Sequence, residues 1–518
     1  MDAKTNTSGR GPGVPGGGPR GGPGSPGFAG RPGGPDLTTG PIGKTLVVFA
    51  LPVLGSNILQ SLNGTANAFW VSHQLGEAAL TAISNANQIF FLMLGAAFGV
   101  TMAANIMIGQ AMGAGDQAMA KKVVGSCTAF FLGLSVVISV AGFTLTPHIL
   151  DAMRTPLDAR ADAIAYLRVI FAAMPVVFFF SYMMMAQRGT GDSRSPFYFS
   201  LLAVAMDVVL NPLLIIGVGP FPKLGIAGSA TSTLISQTVT LTVMLVILYR
   251  RKSILVMRPG ELRLLIPQLT IIKNLVLKGL PMGFQMMVIS LAAVTMMSLV
   301  NLFGVHTSAA YGAAAQLWTY VQMPAMALGA AVSSMAAQNV GAGRMDRVEK
   351  VALTGVFYAF IASAVPILII YFADPLVLRI FLPATSPSLP IAAHINAYVL
   401  WGFIAFGMAF IFSGVVRATG AVWPPLLAMI ISLWVVRIPF ANLLMPSMGA
   451  DAVWLSFPIG SITTLILAGG YYRWGGWRKS RMLEVRPSSD APDTGYGQPM
   501  IEESEAVTDA EEKALGAA

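Results

Sequence analysis

About twelve apolar stretches, each near or above the roughly 20 residues a helix needs to cross the hydrocarbon of a bilayer, fill the chain between residues 44 and 473. One such stretch can hide in a soluble core. Twelve cannot, so lipid must be the solvent for most of the molecule. Composition agrees. Hydrophobic residues make up 55% and charged residues 11%, with mean hydropathy +0.68, where a soluble domain carries about a quarter charged residues. Soluble enzymes, nucleic-acid binders and disordered scaffolds are thereby excluded. The formal net charge of +9 would suggest nucleic acid in a soluble protein, but these Lys and Arg residues fall mainly in short segments between apolar runs. That distribution reports topology, not a ligand. The single cysteine, Cys127, leaves no intrachain disulfide and no Cys-based zinc site to consider.

The ends differ in character from the middle. Residues 1–42 are so rich in Gly and Pro that neither helix nor core is expected, and residues 476–518 are polar and acidic. The first forty residues also lack the uninterrupted apolar stretch of a cleavable signal. The connections alternate in charge. One set holds Lys121, Lys122, Arg188, Arg194, a cluster from Arg250 to Lys278, then Arg344, Arg347, Lys350, Arg417 and Arg473 to Arg481. The opposite set holds few, among them Arg154, Arg160, Lys223 and Arg379. The positive-inside rule places the first set, with both tails, in the cytoplasm of a multi-pass protein of the cell (inner) membrane.

The chain repeats itself. KTLVVFALP (44–52) recurs as KNLVLKGLP (273–281), Gln110, Gly113 and Gly115 recur as Gln338, Gly341 and Gly343, and Arg188-Gly-Thr-Gly191 recurs as Arg417-Ala-Thr-Gly420. The offset stays at 228 or 229 across the three anchors, so the halves are duplicates of six helices each. An even number of crossings sends both halves into the membrane in the same sense. The expected fold is therefore all-α and integral to the membrane: twelve transmembrane helices in two parallel-repeat six-helix lobes, 43–249 and 273–475, joined by a basic linker at 250–272. In transporters such repeats place the substrate path between the halves.

Three segments carry a family resemblance: LPVLGSNILQSLNGTANAFWVSHQLG from residue 51, RGTGDSRSPFYFSLLAVAMDVVLNPLLI from residue 188, and GVVRATGAVWPPLLAMIISLWVVRIP from residue 414. In their order, and within a duplicated twelve-helix plan, they resemble the prokaryotic multidrug and toxic compound extrusion (MATE) transporters over about residues 44–475. The resemblance implies export of organic, often cationic compounds in exchange for H+ or Na+, through a cavity between the lobes.

An ionised side chain in the bilayer interior costs at least a few kcal/mol by insertion scales, about 2.5–3.5 kcal/mol at a helix centre, so each one needs a reason. Most acids of this chain fall in connections. Asp207 does not: it follows the helix-opening Pro196 by eleven residues, which at about 1.5 Å per residue is near mid-depth. A constant offset of 229 puts Val436 at its repeat position, so the acid belongs to one lobe. Burial favours the neutral acid and an arriving organic cation favours the carboxylate. A lone acid can thus exchange a proton for a cation, and Asp207 is the expected proton-coupling group.

The sequence departs from the family pattern here. Many prokaryotic relatives carry an aspartate where this chain has Asn67, and H+-linked relatives often read Asn-x-x-x-Asp-Pro where it has Asp207-Val-Val-Leu-Asn211-Pro212. Acid and amide have changed places one helical turn apart, on the same face. Only one carboxylate at this depth favours H+ over Na+. Gln60, Asn63, Asn67, Asn211 and Thr233 are expected to complete the substrate and ion cavity, with Tyr182 as an aromatic wall and Met286 and Met287 as adaptable contacts from the second half. Arg437, at almost the same depth in the second lobe, is expected to be a structural charge held by helix ends or lipid headgroups.

The resulting expectation is a secondary antiporter acting as a monomer, with small organic substrates, H+ (or Na+) and membrane lipid as partners and with no cofactor, metal or nucleic acid. Two alternatives remain. A flippase of lipid-linked precursors would need a cavity lined with Arg or Lys, and a membrane-embedded enzyme would need paired acids or a His cluster.

Overall fold

A computed structural model describes residues 36–483 apart from 76, 153–156, 219–220 and 384; most of both tails, 1–35 and 484–518, lies outside the described residues. The first lobe comprises α1 (Ile42–Leu75), α2 (Glu77–Gly113), α3 (Gln117–Ala152), α4 (Leu157–Gly189), α5 (Arg194–Ile216) and α6 (Ile226–Arg250). The second comprises α7 (Leu269–Asn301), α8 (Val305–Gly341), α9 (Met345–Leu378), a crossing broken into α10 (Ser388–Val399) and α11 (Gly402–Thr419), and another in which α12 (Trp423–Ile430) and α13 (Ile438–Met448) are joined by a π-helical stretch, Ile431–Arg437. The last crossing is α14 (Ala450–Trp474). That makes the expected twelve, and among the described residues there is no strand. The π stretch ends two residues before Pro439, whose ring nitrogen cannot donate to residue 435. Widening the turn ahead of a proline is one way for a helix to pass it.

Among the described residues ten helical stretches, α12 to α13 counted as one, are long and apolar enough to span a membrane on their own hydropathy. Helices α2 and α8 face each other. Residues 99–111 of α2 and 331–340 of α8 are buried on every side. Small side chains do the work of close approach. A Cβ on Gly113 would lie 1.8 Å from the carbonyl oxygen of Gln338, and one on Gly341 would lie 1.9 Å from that of Gln110. The contact is reciprocal, as a two-fold relation between duplicates requires. On the same relation, Asn105 Nδ2 lies 3.5 Å from Ser334 Oγ, a pair separated by the repeat offset of 229. Gln110 Nε2 donates to Ala418 O (2.8 Å), while Gln338 Nε2 donates to Gly189 O (2.9 Å).

The tails are shorter than composition suggests. Leu37 is buried, its N–H donates to Gln338 Oε1 (3.2 Å), and its carbonyl accepts from Asn339 Nδ2 (3.2 Å). Arg344 and Arg347 hold the carbonyls of Thr38, Thr39 and Gly40. At the other end, the N–H groups of Met482 and Leu483 donate to Gln110 Oε1 (3.2 Å each), and Lys278 Nζ donates to Arg481 O (2.7 Å). Residues 36–42 and 476–483, assigned to the tails on composition, are therefore folded parts of the molecule. A few apolar side chains, Leu37, Trp477, Met482 and Leu483, reach the core, and a windowed composition averages them away. The linker is likewise held, by an ion pair between Glu261 and Lys121 and by a bond from Gln268 N to Ser126 Oγ (3.2 Å).

Among the described residues one apolar core runs through both lobes at the end bearing these terminal segments, from Leu46 and Ile108 to Val340 and Val415. Toward the other end each lobe has a core of its own, around Phe171 and Phe178 in the first and around Trp318 and Trp454 in the second. The lobes are thus closed on each other at one end.

Gly113→Val and Gly341→Val are expected to lower the thermal midpoint of the detergent-purified protein, by a loss on the order of 1–3 kcal/mol each from forced separation of backbones. Gly133→Ala, whose Cβ would meet nothing within 4 Å, should not lower it. Unchanged midpoints in both valine variants would contradict so close an approach.

Candidate functional site

Helix α5 begins where Asp192 Oδ1 caps the backbone, accepting from Arg194 N and Ser195 N (3.0 Å each). It ends at Gly217, whose φ of 79° turns the chain left-handed. Its buried residues, including Phe199, Ala203, Asp207, Asn211 and Leu214, recur every three or four positions, while Tyr198, Leu201 and Val209 are exposed. Asp207 and Asn211 consequently share the inward stripe, one turn apart.

Two polar rungs cross α1, α5 and α6. In the first, Asp207, only 3% exposed, accepts from Asn63 Nδ2 at Oδ2 (2.9 Å), from Ser232 Oγ at Oδ1 (2.5 Å), and from Thr233 Oγ1 at Oδ2 (3.1 Å). In the second, Asn67 Oδ1 accepts from Asn211 Nδ2 (2.9 Å) and from Ser229 Oγ (2.5 Å). The rungs are stacked because 63 and 67, 207 and 211, and 229 and 233 are each one turn apart. Among the described residues none of the ion pairs involves Asp207. Its donors are all neutral.

The two hydroxyls have a second acceptor. Ser232 Oγ is 2.9 Å, and Thr233 Oγ1 3.4 Å, from the carbonyl oxygen of Ser229. A hydroxyl has one proton, so each serves either the carboxylate or the carbonyl. The site can therefore satisfy both forms of Asp207. When the acid is ionised the hydroxyls donate to it; when it is protonated, a hydroxyl that turns to donate to Ser229 O can accept the hydrogen bond of the acid's one O–H.

Beside Asp207 a pocket opens, lined by Gln60, Asn63, Thr233, Ser236 and Gln237 and by the apolar Phe180, Ala203 and Val204. Ser200 Oγ, Ser236 Oγ and Gln237 Oε1, which also belong to its wall, are buried with no protein partner among the described residues. Unpaired polar atoms around a hollow call for a polar occupant. Gln60 is exposed at its rim. Asn211 Oδ1 is a further buried oxygen with no donor.

Of the residues singled out on sequence, Gln60, Asn63 and Thr233 line this pocket with Asp207, and Asn67 and Asn211 form the adjacent rung. Tyr182 does not join them. It is fully buried in α4, donates to Val124 O (3.1 Å) and stacks on Phe131 with ring centroids 4.8 Å apart. The sequence offers an aromatic ring there but not its direction, and the helix turns that face into the core of the lobe. Met286 and Met287 lie half-buried on α7, Met286 with its Cβ 3.5 Å from where a Cβ on Gly95 of α2 would be. They sit on the second lobe and are not brought to the Asp207 pocket. Arg437 lies within the second lobe with its guanidinium Cζ 3.4 Å from the Phe457 ring centroid. Residues missed on sequence are Ser229, Ser236, Gln237 and Tyr166, a buried α4 residue in electrostatic reach of Asp207. The polar run from Ser229 to Gln237 was the available signal: Ser229, Ser232, Thr233 and Ser236 fall on one helical face.

The MatE family model matches residues 52–213 and 281–443, one match in each lobe. The chain is 35% identical over 444 residues to "Probable multidrug resistance protein YoeA" of Bacillus subtilis, covering 85% of this chain and 96% of the relative. It is 31% identical over 457 residues to "Probable multidrug resistance protein YpnP" of the same organism, covering 86% and 98%. Among solved structures, the outward-facing conformation of a multidrug resistance MATE family transporter of the MOP superfamily shares the fold, with TM-score 0.77, 22% identity and coverage of 84% of this chain and 96% of that one. Two matched halves, a fold in common and relatives aligned nearly end to end lead to one conclusion: this chain is a transporter, a multi-pass membrane protein of the MATE family.

Proposed function

We propose that the protein is an antiporter that exports organic, cation-bearing compounds in exchange for protons, with Asp207 as the exchanging group. The observation that carries this reading is a buried carboxyl group with neutral donors only, next to a pocket with unpaired polar walls. With no fixed countercharge, an incoming proton and an incoming organic cation compete for the same acid. The hydroxyls of Ser232 and Thr233 can follow either outcome by switching between Asp207 and Ser229 O. The similarity to YoeA and YpnP, each named a "Probable multidrug resistance protein", supports drug-like substrates.

Protons are favoured over Na+ because a hard cation wants several oxygens and preferably more than one carboxylate, and here one acid stands among neutral side chains. The flippase alternative is disfavoured because no Lys or Arg lines the Asp207 pocket. The protein acts as a monomer in the cell membrane. Its closed end, with the basic connections and both tails, faces the cytoplasm, and the state described here faces outward.

The orientation can be tested with Arg251→Cys, an exposed position in the linker, since the native Cys127 is buried. An impermeant maleimide added outside intact cells should leave it unlabelled and should label it in inverted vesicles. Labelling from outside would overturn the topology.

Coupling is tested by dye efflux in everted vesicles, with H+ and Na+ gradients imposed separately. A proton gradient should drive transport in the native protein, and organic-cation binding should weaken as pH falls, by up to about tenfold per pH unit. Asp207→Asn keeps the shape of the rung but cannot titrate, so binding should become independent of pH and driven efflux should fall close to background. Asn211→Asp in that background restores an acid one turn away, and partial recovery is expected. Full efflux by Asp207→Asn alone would sink the mechanism.

A further inference from the structure

The second lobe has its own charged group in the place Asp207 takes in the first, with the opposite sign. Helices α5 and α12 begin at Arg194 and Trp423, an offset of 229. By that count Val436 would answer Asp207. The π stretch Ile431–Arg437 adds a residue to the turn, so the equivalent position moves on to Arg437. The following helices confirm the match independently. Gly225 and Gly449 cap α6 and α14 in the same unusual conformation, φ 57°, ψ −132° and φ 61°, ψ −137°, which only glycine takes up readily. That equates Thr233 with Phe457 and Ser236 with Gly460. Thr233 donates to Asp207 and Ser236 lines its pocket. Phe457 carries the guanidinium of Arg437 on its ring, and a Cβ on Gly460 would lie 3.2 Å from Arg437 Cδ.

Arg437 points away from lipid. Trp423, Leu427, Ile431 and Val435 are exposed at intervals of four, and Arg437, two residues past the last of them, falls on the opposite side of the helix. This removes the snorkelling role. Among the described residues it forms no ion pair, and its Nε is buried without a partner. Tyr311 of α8 is within electrostatic reach, its ring edge-on to Trp318 at 5.5 Å and stacked with Trp454 at 6.1 Å. An unpaired guanidinium at this depth needs an anion. Its planar fork suits a carboxylate or phosphate, and the aromatic surroundings suit a ring that bears one.

We infer that Arg437 is the recognition group of the second lobe for a carboxylate or phosphate on the exported compound. The substrates are then amphoteric: an aromatic body with a cationic nitrogen for the Asp207 lobe and an oxyanion for the Arg437 lobe. The inference rests on the antiport reading for the word "exported", and its test does not.

The test uses equilibrium binding to the full-length protein in nanodiscs of neutral phosphatidylcholine. The probes are naphthylalanine, which carries both charges, and its methyl ester, which keeps only the amine. The native protein should bind the acid at least about tenfold more tightly than the ester, as expected for a charge-assisted bond. Arg437→Gln should abolish that preference and Arg437→Lys should keep part of it. Asp207→Asn should keep it while losing the dependence on pH. Equal binding of the two probes by the native protein overturns the inference whatever the variants do, including any that fail to fold. So does an unchanged preference in Arg437→Gln. A preference that disappears when anionic phosphatidylglycerol is added to the discs also overturns it, because the anion held would then be a headgroup. If Asp207→Asn still drives efflux while the acid preference depends on Arg437, the coupling reading fails and this one stands.

Discussion

Everything else in the molecule is hung on the place where α2 and α8 touch backbone to backbone. Gly113 lies on the carbonyl of Gln338 and Gly341 on that of Gln110, and the side chains of the same two glutamines reach across to Ala418 and Gly189 at the ends of the opposite lobes' helices. In lipid there is little hydrophobic force to bring helices together, so close van der Waals approach and satisfied polar groups must do it. Two duplicated helices meeting on their own pseudo-two-fold supply both. The same contact fixes where the lobes join and, by leaving separate cores toward the far end, where they part.

The fold was legible because its signals are long. Twelve apolar stretches, alternating basic connections and a repeat offset of 228 or 229 survive any local irregularity. Asp207 was legible for a related reason, since a carboxylate at mid-depth stands out against hydrocarbon-compatible neighbours. Asn63, Asn67, Asn211 and Thr233 stand out as polar residues in apolar helices, and the structure brings them into the two rungs. Tyr182 did not follow, because depth along a helix says nothing of which way the side chain points, and its hydroxyl is absorbed by Val124 O inside the lobe. The folded edges of both tails were hidden by their Gly, Pro and polar surroundings. The equivalence of Arg437 to Asp207 was hidden by one extra residue in a π turn, which a fixed offset cannot see.

Duplication would make the two lobes interchangeable if their polar centres had stayed alike. They have not. The first lobe keeps hydroxyls and amides around its acid, a set that can donate to a carboxylate or accept from a carboxylic acid with small rotations. The second has replaced Thr233 and Ser236 by Phe457 and Gly460, which can neither donate to nor accept from a neighbour through a side chain, and which leave an aromatic face and room for a guanidinium. The polar centre of one lobe is a carboxyl group among hydroxyls and amides, and that of the other is a guanidinium on an aromatic ring.

The two terminal segments are crossed. The residues that precede the first lobe, Leu37 to Gly40, are held by Gln338, Asn339, Arg344 and Arg347 of the second. Those that follow the second, Met482 and Leu483, are held by Gln110 of the first. Each end of the described chain thus makes hydrogen bonds to the opposite lobe. The lobes cannot come apart at this end without breaking the bonds of both segments.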